Sequence, residues 1–313
     1  LYLGCCHRCD DAVRLVFVRL PGKRPVTFIL FAILAACGGP PTDTGSTDEG
    51  RNGEIRVVTL SPHLAEIVYA VGAGDSLIGA SAYTDFPPAA ASVPVVGDAY
   101  SLDQERLAIL EPDLLLAWDT GTPVHVIDAL RSRGYRVEVI TTTHLDDVPS
   151  ALITVGALLG TPEQAAAIAD EFRQSFAELS DRYRNATPIS VFYQVDSRPL
   201  YTINGSHYVS DLIAVCGGKN IFASLDGIAP LVSVEAVLER DPEVILASSD
   251  AGASAFDEWE RWPGLAANQY DNRFLMPADQ IGRPTPRLQS AALAVCDALD
   301  QARSKREAAQ TSD

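Results

Sequence analysis

Leu102-Asp103-Gln104-Glu105-Arg106-Leu107-Ala108-Ile109-Leu110-Glu111-Pro112-Asp113-Leu114-Leu115-Leu116-Ala117 and Val232-Ser233-Val234-Glu235-Ala236-Val237-Leu238-Glu239-Arg240-Asp241-Pro242-Glu243-Val244-Ile245-Leu246-Ala247 are one pattern written twice, 130 residues apart. Each copy opens on a helix N-cap (Asp103, Ser233) and carries an acid in the first turn (Glu105, Glu235). It then runs a short amphipathic helix, breaks at Pro112 or Pro242, and enters an apolar strand. A period of 130 residues is too long for a stacked repeat and fits two related lobes of one protein. Two similar α/β lobes leave a cleft between them, and clefts of that kind hold ligands.

Outward from the first copy, apolar strands at 55–60, 77–80, 113–118 and 136–140 alternate with helical periods at 62–71, 122–134 and 145–159. This alternation predicts a mainly parallel sheet with helices on its faces. Gly72-x-Gly74 follows a helix rather than a strand and lacks the third glycine of a dinucleotide loop, so it reads as a helix stop. Thr161-Pro162-Glu163 opens a helix with proline in its first turn, and Ala167, Phe172, Phe176, Leu179 and Tyr183 keep helical spacing to about residue 184. Such a helix is about 30 Å long, enough to cross between lobes. Strands at 189–194, 243–247 and 273–276, with helices at 208–215 and 286–302, complete the second half.

The expected fold is therefore α/β: two similar lobes with mainly parallel sheets (55–160 and 187–303), joined by one long connecting α-helix (161–186), with a ligand cleft between the lobes. Residues 304–313 read as a disordered tail. A rigid helix between the lobes predicts limited hinge opening.

The N-terminal end reads differently. Arg19, Lys23 and Arg24 precede an apolar run, Val26–Ala36, that is too short to span a bilayer, so residues 1–36 read as a secretory signal removed on export. Cys5, Cys6, His7 and Cys9 crowd upstream of it, and a start at Val16 or Val18 would leave a signal of ordinary length. Leu34-Ala35-Ala36-Cys37 resembles a bacterial lipobox, which implies lipid on Cys37 and attachment to a membrane. Residues 37–54, rich in Gly, Pro, Thr, Ser and acids, read as a flexible tether. With Cys37 lipidated, Cys216 and Cys296 are the remaining pair in an oxidising compartment; a disulfide is expected, with two buried free thiols as the alternative.

The chain carries 24 Lys and Arg against 41 Asp and Glu, a net charge of -17. Removing residues 1–36 takes away five basic and two acidic residues and leaves -20. That excludes nucleic acid and an anionic membrane face as natural partners.

Several stretches resemble a known family. Leu60-Ser61-Pro62, Ser81-x-Tyr83-Thr84-Asp85-Phe86-Pro87-Pro88, Glu111-Pro112-Asp113 through Trp118, Cys216-Gly217-Gly218-Lys219-Asn220-Ile221-Phe222 and Pro286-Arg287 resemble the substrate-binding proteins of bacterial ABC importers that have a single connecting helix, and within them the cobalamin binders. The resemblance spans nearly all of 55–303. It implies a monomer that captures cobalamin or a related corrinoid as transported ligand, with no cofactor of its own, and delivers it to a two-subunit permease and its ATPase. Haem and ferric-siderophore binders share the architecture and stand as alternatives.

Carried over position by position, the resemblance implies Pro62, His63, Tyr83, Tyr100, Trp118, Asp279 and Arg283 at the ligand site. Tyr83 and Trp118 match aromatic positions, where flat rings suit a broad macrocycle; packing under a loop is the plainer reading. Asp279 and Arg283 match polar positions of the second lobe that reach amides on the corrin rim. Two departures stand out: Ala99, with Tyr100 beside it, replaces a pocket tryptophan, and Gln280-Ile281 replaces an aromatic pair. His63, at the start of a helix, reads as a capping or solvated residue at the pocket edge, or as a ligand to haem iron or cobalt. Glu105 and Glu235 match the glutamates that meet permease arginines; an acid in a first turn is also favoured by the helix dipole alone.

Other classes are less well supported. The chain has no Gly-x-Ser-x-Gly, no phosphate loop and no His-Glu-x-x-His, so an enzyme is not expected. His125, His144 and His207 have no neighbours at metal-ligand spacing, which gives no metal site. A ligand-sensing module without transport is the remaining option.

Overall fold

The computed structural model describes residues 55–98 and 101–311. The export signal, the crowded cysteines, Cys37, the tether, Ala99 and Tyr100 lie outside the described residues. The first lobe runs β1 (Val57–Thr59), α1 (Pro62–Ala70), β2 (Leu77–Ala80), α2 (Gln104–Leu110), β3 (Leu114–Trp118), α3 (Val124–Ser132), β4 (Val137–Ile140) and α4 (Asp147–Leu159). α5 (Pro162–Tyr183) follows as the long helix. The second lobe runs β5 (Ile189–Gln194), β6 (Asp196–Ser197), β7 (Leu200–Tyr201), α6 (Tyr208–Val215), β8 (Gly218–Asn220), α7 (Val234–Arg240), β9 (Val244–Ser248), α8 (Ala266–Gln269), β10 (Arg273–Met276), α9 (Ala278–Ile281) and α10 (Leu288–Gln310).

The two sheets share one topology. Strand order is β2-β1-β3-β4 in the first lobe and β8-β5-β9-β10 in the second, with every pairing parallel, while β6 and β7 form a separate antiparallel hairpin. The repeated sequence occupies equivalent places in both sheets. Asp103 caps α2 by accepting from the Arg106 N–H, and Ser233 caps α7 by accepting from the Ala236 N–H. Each helix stops on a left-handed residue directly before its proline, Glu111 at φ 42° and Asp241 at φ 40°. The acid after each proline then reaches across to the sheet's central strand: Asp113 accepts from the Arg56 N–H and Glu243 from the Ser190 N–H, both at 2.9 Å. The chain repeats its shape because it repeats these local hydrogen bonds.

One apolar core runs through both lobes. It joins Val57, Leu114 and Leu116, through Phe172 and Phe176 of α5, to Val191, Val244 and Leu246. Separate clusters cover the other face of each sheet, around Leu107 and Leu115 in one lobe and Phe192 and Trp259 in the other. α4 and α5 pack so closely that a Cβ on Gly156 would stand 2.2 Å from the Ala165 Cβ. A polar tie adds to this: Asp211 of α6 accepts from the Leu145 N–H at 2.9 Å and meets His144 Nδ1 at 3.3 Å. Lobes joined by packed core resist opening, because separating them exposes apolar surface.

Cys216 and Cys296 form a disulfide, with Cα atoms 4.8 Å apart, so the free-thiol alternative falls. The expected tail at 304–313 needs correction, because α10 continues to Gln310. Its last turns are pinned from outside the helix. Arg303 donates to the Thr187 and Cys216 carbonyls, Lys305 to the Asp271 carbonyl, and Arg306 to the Pro188 carbonyl and to Glu243. Among the described residues no helix is long and apolar enough to cross a membrane.

Candidate functional site

At the carboxyl ends of β1, β2 and β3 the chain leaves the first sheet and opens a cavity of about 490 Å³, lined by Ser61, Pro62, Ser81, Tyr83, Asp98, Trp118 and Gly121 among others. Ligands meet parallel sheets at this edge, where loops can be shaped without disturbing the strands. Of the residues expected from the sequence, Pro62, Tyr83 and Trp118 are brought together here.

Trp118 ends β3, and its backbone N–H donates to Thr122 Oγ1 at 3.0 Å, fixing the turn that follows. Gly121 passes so close beneath the indole that a Cβ there would lie 2.0 Å from Trp118 Cε3. The ring also meets His63 edge-on, with centroids 4.8 Å apart. The indole Nε1 is buried without a hydrogen-bond partner, as are Ser81 Oγ and Thr84 Oγ1 nearby. Buried donors and acceptors left open beside an apolar cavity suit a large ligand carrying polar groups on its rim.

His63 departs from the plainer of its two expected roles, since it neither caps the helix nor lies open to solvent. Its ring is buried, with Nδ1 2.7 Å from Ser61 Oγ. Burial, helped by the charge of Arg283, lowers its pKa to about 3, so the imidazole is neutral at any physiological pH. It packs edge-on against Trp118, and its Nε2 is buried without a hydrogen-bond partner.

Asp279 and Arg283 also sit differently from expectation. Asp279 pairs with Arg287. Arg283 reaches across to the first lobe, where Nη1 donates to Glu66 Oε1 at 2.8 Å and to Asp85 Oδ1 at 2.5 Å, and Nη2 donates to the Tyr83 carbonyl at 3.2 Å. Burial works against the Arg283 charge, but Asp85 and Glu66 outweigh it and hold its pKa above the ordinary value. Asp85 is held below the usual carboxylate range, chiefly by its hydrogen bond from Arg283. Glu66 itself is only 3% exposed; it also accepts from Arg287 Nη1 at 3.1 Å and Thr285 Oγ1 at 3.1 Å. A buried carboxylate is tolerable only when paired in this way.

Sequence reading missed Glu66. The available signal was an acid inside Leu64-Ala65-Glu66-Ile67-Val68, a helix otherwise buried on that stretch. Gly121 was also missed, since nothing in composition separates it from ordinary loop residues, and Ser81, although it opens the Ser81-x-Tyr83 stretch, was not singled out as a site residue. Glu105 and Glu235 both lie exposed in the first turns of α2 and α7. Hydrogen bonds from its own backbone N–H and from Ser233 hold Glu235 below the usual carboxylate range.

Comparison with known proteins adds to this geometry. The periplasmic binding protein family profile matches residues 57–280. The vitamin B12-binding protein of Vibrio cholerae serotype O1 is 36% identical over 245 residues, covering 78% of this chain and 88% of its own. That of Yersinia pestis is 35% identical over 254 residues, covering 78% and 86%. The crystal structure of the periplasmic vitamin B12-binding protein of Vibrio cholerae superposes with a TM-score of 0.73 at 34% identity, covering 80% of this chain and 98% of that one. A periplasmic haem-binding protein from Roseiflexus shares the fold alone, with a TM-score of 0.69 at 23% identity over 80% of this chain and 100% of that one.

Proposed function

Because the chain belongs to the periplasmic binding protein family, we propose that it captures cobalamin, or a related corrinoid, in the cavity beside Trp118 and delivers it to a bacterial ABC importer. The observation that carries this reading is the cavity at the carboxyl edge of the first sheet, walled by Trp118 and Tyr83 and fringed by buried, unpartnered polar atoms. A corrin offers a broad face to the rings and amides to the rim. Cobalamin is cargo here, not a resident cofactor. Export and a lipid on Cys37 belong to the same reading, supported by the apolar run and the lipobox-like Leu34-Ala35-Ala36-Cys37.

Titration calorimetry with cyanocobalamin, and separately with haemin, tests the cargo. Saturation near one equivalent of cobalamin is expected. Trp118→Ala should weaken that binding by roughly 1 to 3 kcal/mol while the melting curve stays cooperative, because the variant loses a half-buried aromatic wall that cargo would cover. Unchanged affinity in the folded variant would place Trp118 outside the site, and haemin uptake without cobalamin uptake would change the cargo.

Docking is read from the repeat. Glu105 has the 80% exposed Ile109 one turn along α2, and the 62% exposed Leu231 lies in the segment just before α7, so exposed aliphatic side chains occur near both helix starts. A charge beside an apolar contact suits a permease surface with arginines, and charge pairs set register and encounter rate. Glu105→Ala and Glu235→Ala should each weaken association with the immobilised permease, more at low salt, and leave cobalamin affinity unchanged. Normal docking and uptake by the double variant would reduce both carboxylates to partners of the helix dipole.

A further inference from the structure

Residues 283–287, between α9 and α10 of the second lobe, hold a loop of the first lobe at successive points. Arg283 donates to the Tyr83 carbonyl and to Asp85, and the Arg287 guanidinium lies 4.1 Å above the Phe86 ring. The same segment grips α1 through Glu66. Loop 83–86 has little support from its own lobe. Phe86 and Pro87 face Tyr69 and Ala70 across a second cavity of about 240 Å³. The Tyr83 side chain is 83% exposed. Its backbone sits at φ 65°, a region that an aromatic residue keeps only where its surroundings hold it there. The neighbouring Ala82 N–H donates to the Gly97 carbonyl at 2.7 Å within the first lobe, and the Tyr83 carbonyl accepts from Arg283 of the second.

We infer that Arg283 is a positioning residue, setting the Tyr83 ring at the cavity mouth from the opposite lobe and thereby coupling lobe spacing to the seating of cargo on that ring. The inference rests on the cavity being the cargo site proposed above. Both terminal nitrogens of Arg283 are occupied by first-lobe acceptors and its side chain is only 16% exposed, which leaves it poorly placed to contact cargo directly. Coupling is reciprocal: cargo that settles on Tyr83 favours the lobe spacing in which Arg283 reaches the loop, and that spacing favours cargo.

A double-variant cycle separates the roles. Wild type, Arg283→Met, Tyr83→Ala and the double variant are titrated with cyanocobalamin, each with its melting curve. Arg283→Met should weaken binding about tenfold when Tyr83 is present, and less than about twofold in the Tyr83→Ala background, since residues acting through one another are not additive. Effects that multiply would make Arg283 a direct contact and overturn the inference. A second measurement needs no cargo. In protein labelled with fluorotyrosine, the Tyr83 resonance, identified by its loss in Tyr83→Phe, should narrow and move toward its unfolded position in Arg283→Met. Asp85→Asn, which alters only a side chain 64% exposed, should shift it the same way by less. An unmoved resonance in both variants would also overturn the inference. If wild type takes up no cobalamin, the cargo reading fails while the fluorine spectra still decide whether Arg283 positions Tyr83.

Discussion

Reduction of the Cys216–Cys296 bond is expected to lower the free energy of unfolding by about 4 kcal/mol. The bond closes a segment with a sequence separation of 80 residues, and the entropy withheld from an unfolded chain by a loop of that length corresponds to roughly this figure. The enclosed segment holds β8, α7, β9, α8, β10 and α9, so the bond ties the first helix of the second lobe to the last across most of that lobe's sheet. Both cysteines are buried in the core that runs through α5, and their packing survives reduction; the effect therefore falls mainly on the unfolded state. Urea unfolding of oxidised and reduced protein, and of Cys216→Ala/Cys296→Ala, measures it. A steeper denaturant dependence is expected once the crosslink is gone, because a freer chain exposes more surface. A difference under about 1 kcal/mol would mean that the reduced chain retains the loop by other contacts.

What the sequence made visible depended on how far each signal reached along the chain. The repeat was legible because everything that defines it is local: Asp103 and Ser233 cap within three residues, and Pro112 and Pro242 stop each helix immediately before its strand. Trp118, which ends β3, and Tyr83, three residues beyond β2, were legible through the family resemblance. Glu66 was not, since its partner Arg283 lies 217 positions away and neither residue announces the other. The three-residue β8 escaped for a different reason: Gly218-Lys219-Asn220 has no strand-like composition and pairs only because β5 lies alongside. The end of α10 was read as a tail because Arg303, Lys305 and Arg306 look like solvated charge until their carbonyl partners are known. His63 was misread by the same limit: burial comes from the packing of Trp118 over it, which no helix-start pattern encodes.

Acidification is expected to destabilise the fold through that same histidine, by about 2 kcal/mol between pH 7 and pH 4.5. The folded-state pKa of His63 is lowered to about 3, while the unfolded chain titrates near the ordinary 6.5. Between these values the unfolded state binds a proton that the folded state refuses. The stability is therefore complete above pH 6.5 and is lost progressively as the pH falls from 6.5 toward 3. His207, lowered to about 4 by burial, acts with the same sign over a narrower window. Asp85 joins only at the acid end, where its carboxylate is finally protonated and its bond from Arg283 weakens. Urea unfolding of wild type and His63→Phe at pH 7 and pH 4.5 isolates the first contribution, because the variant keeps a ring of similar size beneath Trp118 without a titrating group. The variant should lose about 2 kcal/mol less than wild type between the two conditions; equal losses would show that the His63 proton affinity is the same folded and unfolded. Cobalamin affinity of the folded protein should not change through His63 over the same range, because the folded imidazole stays neutral down to pH 4.5.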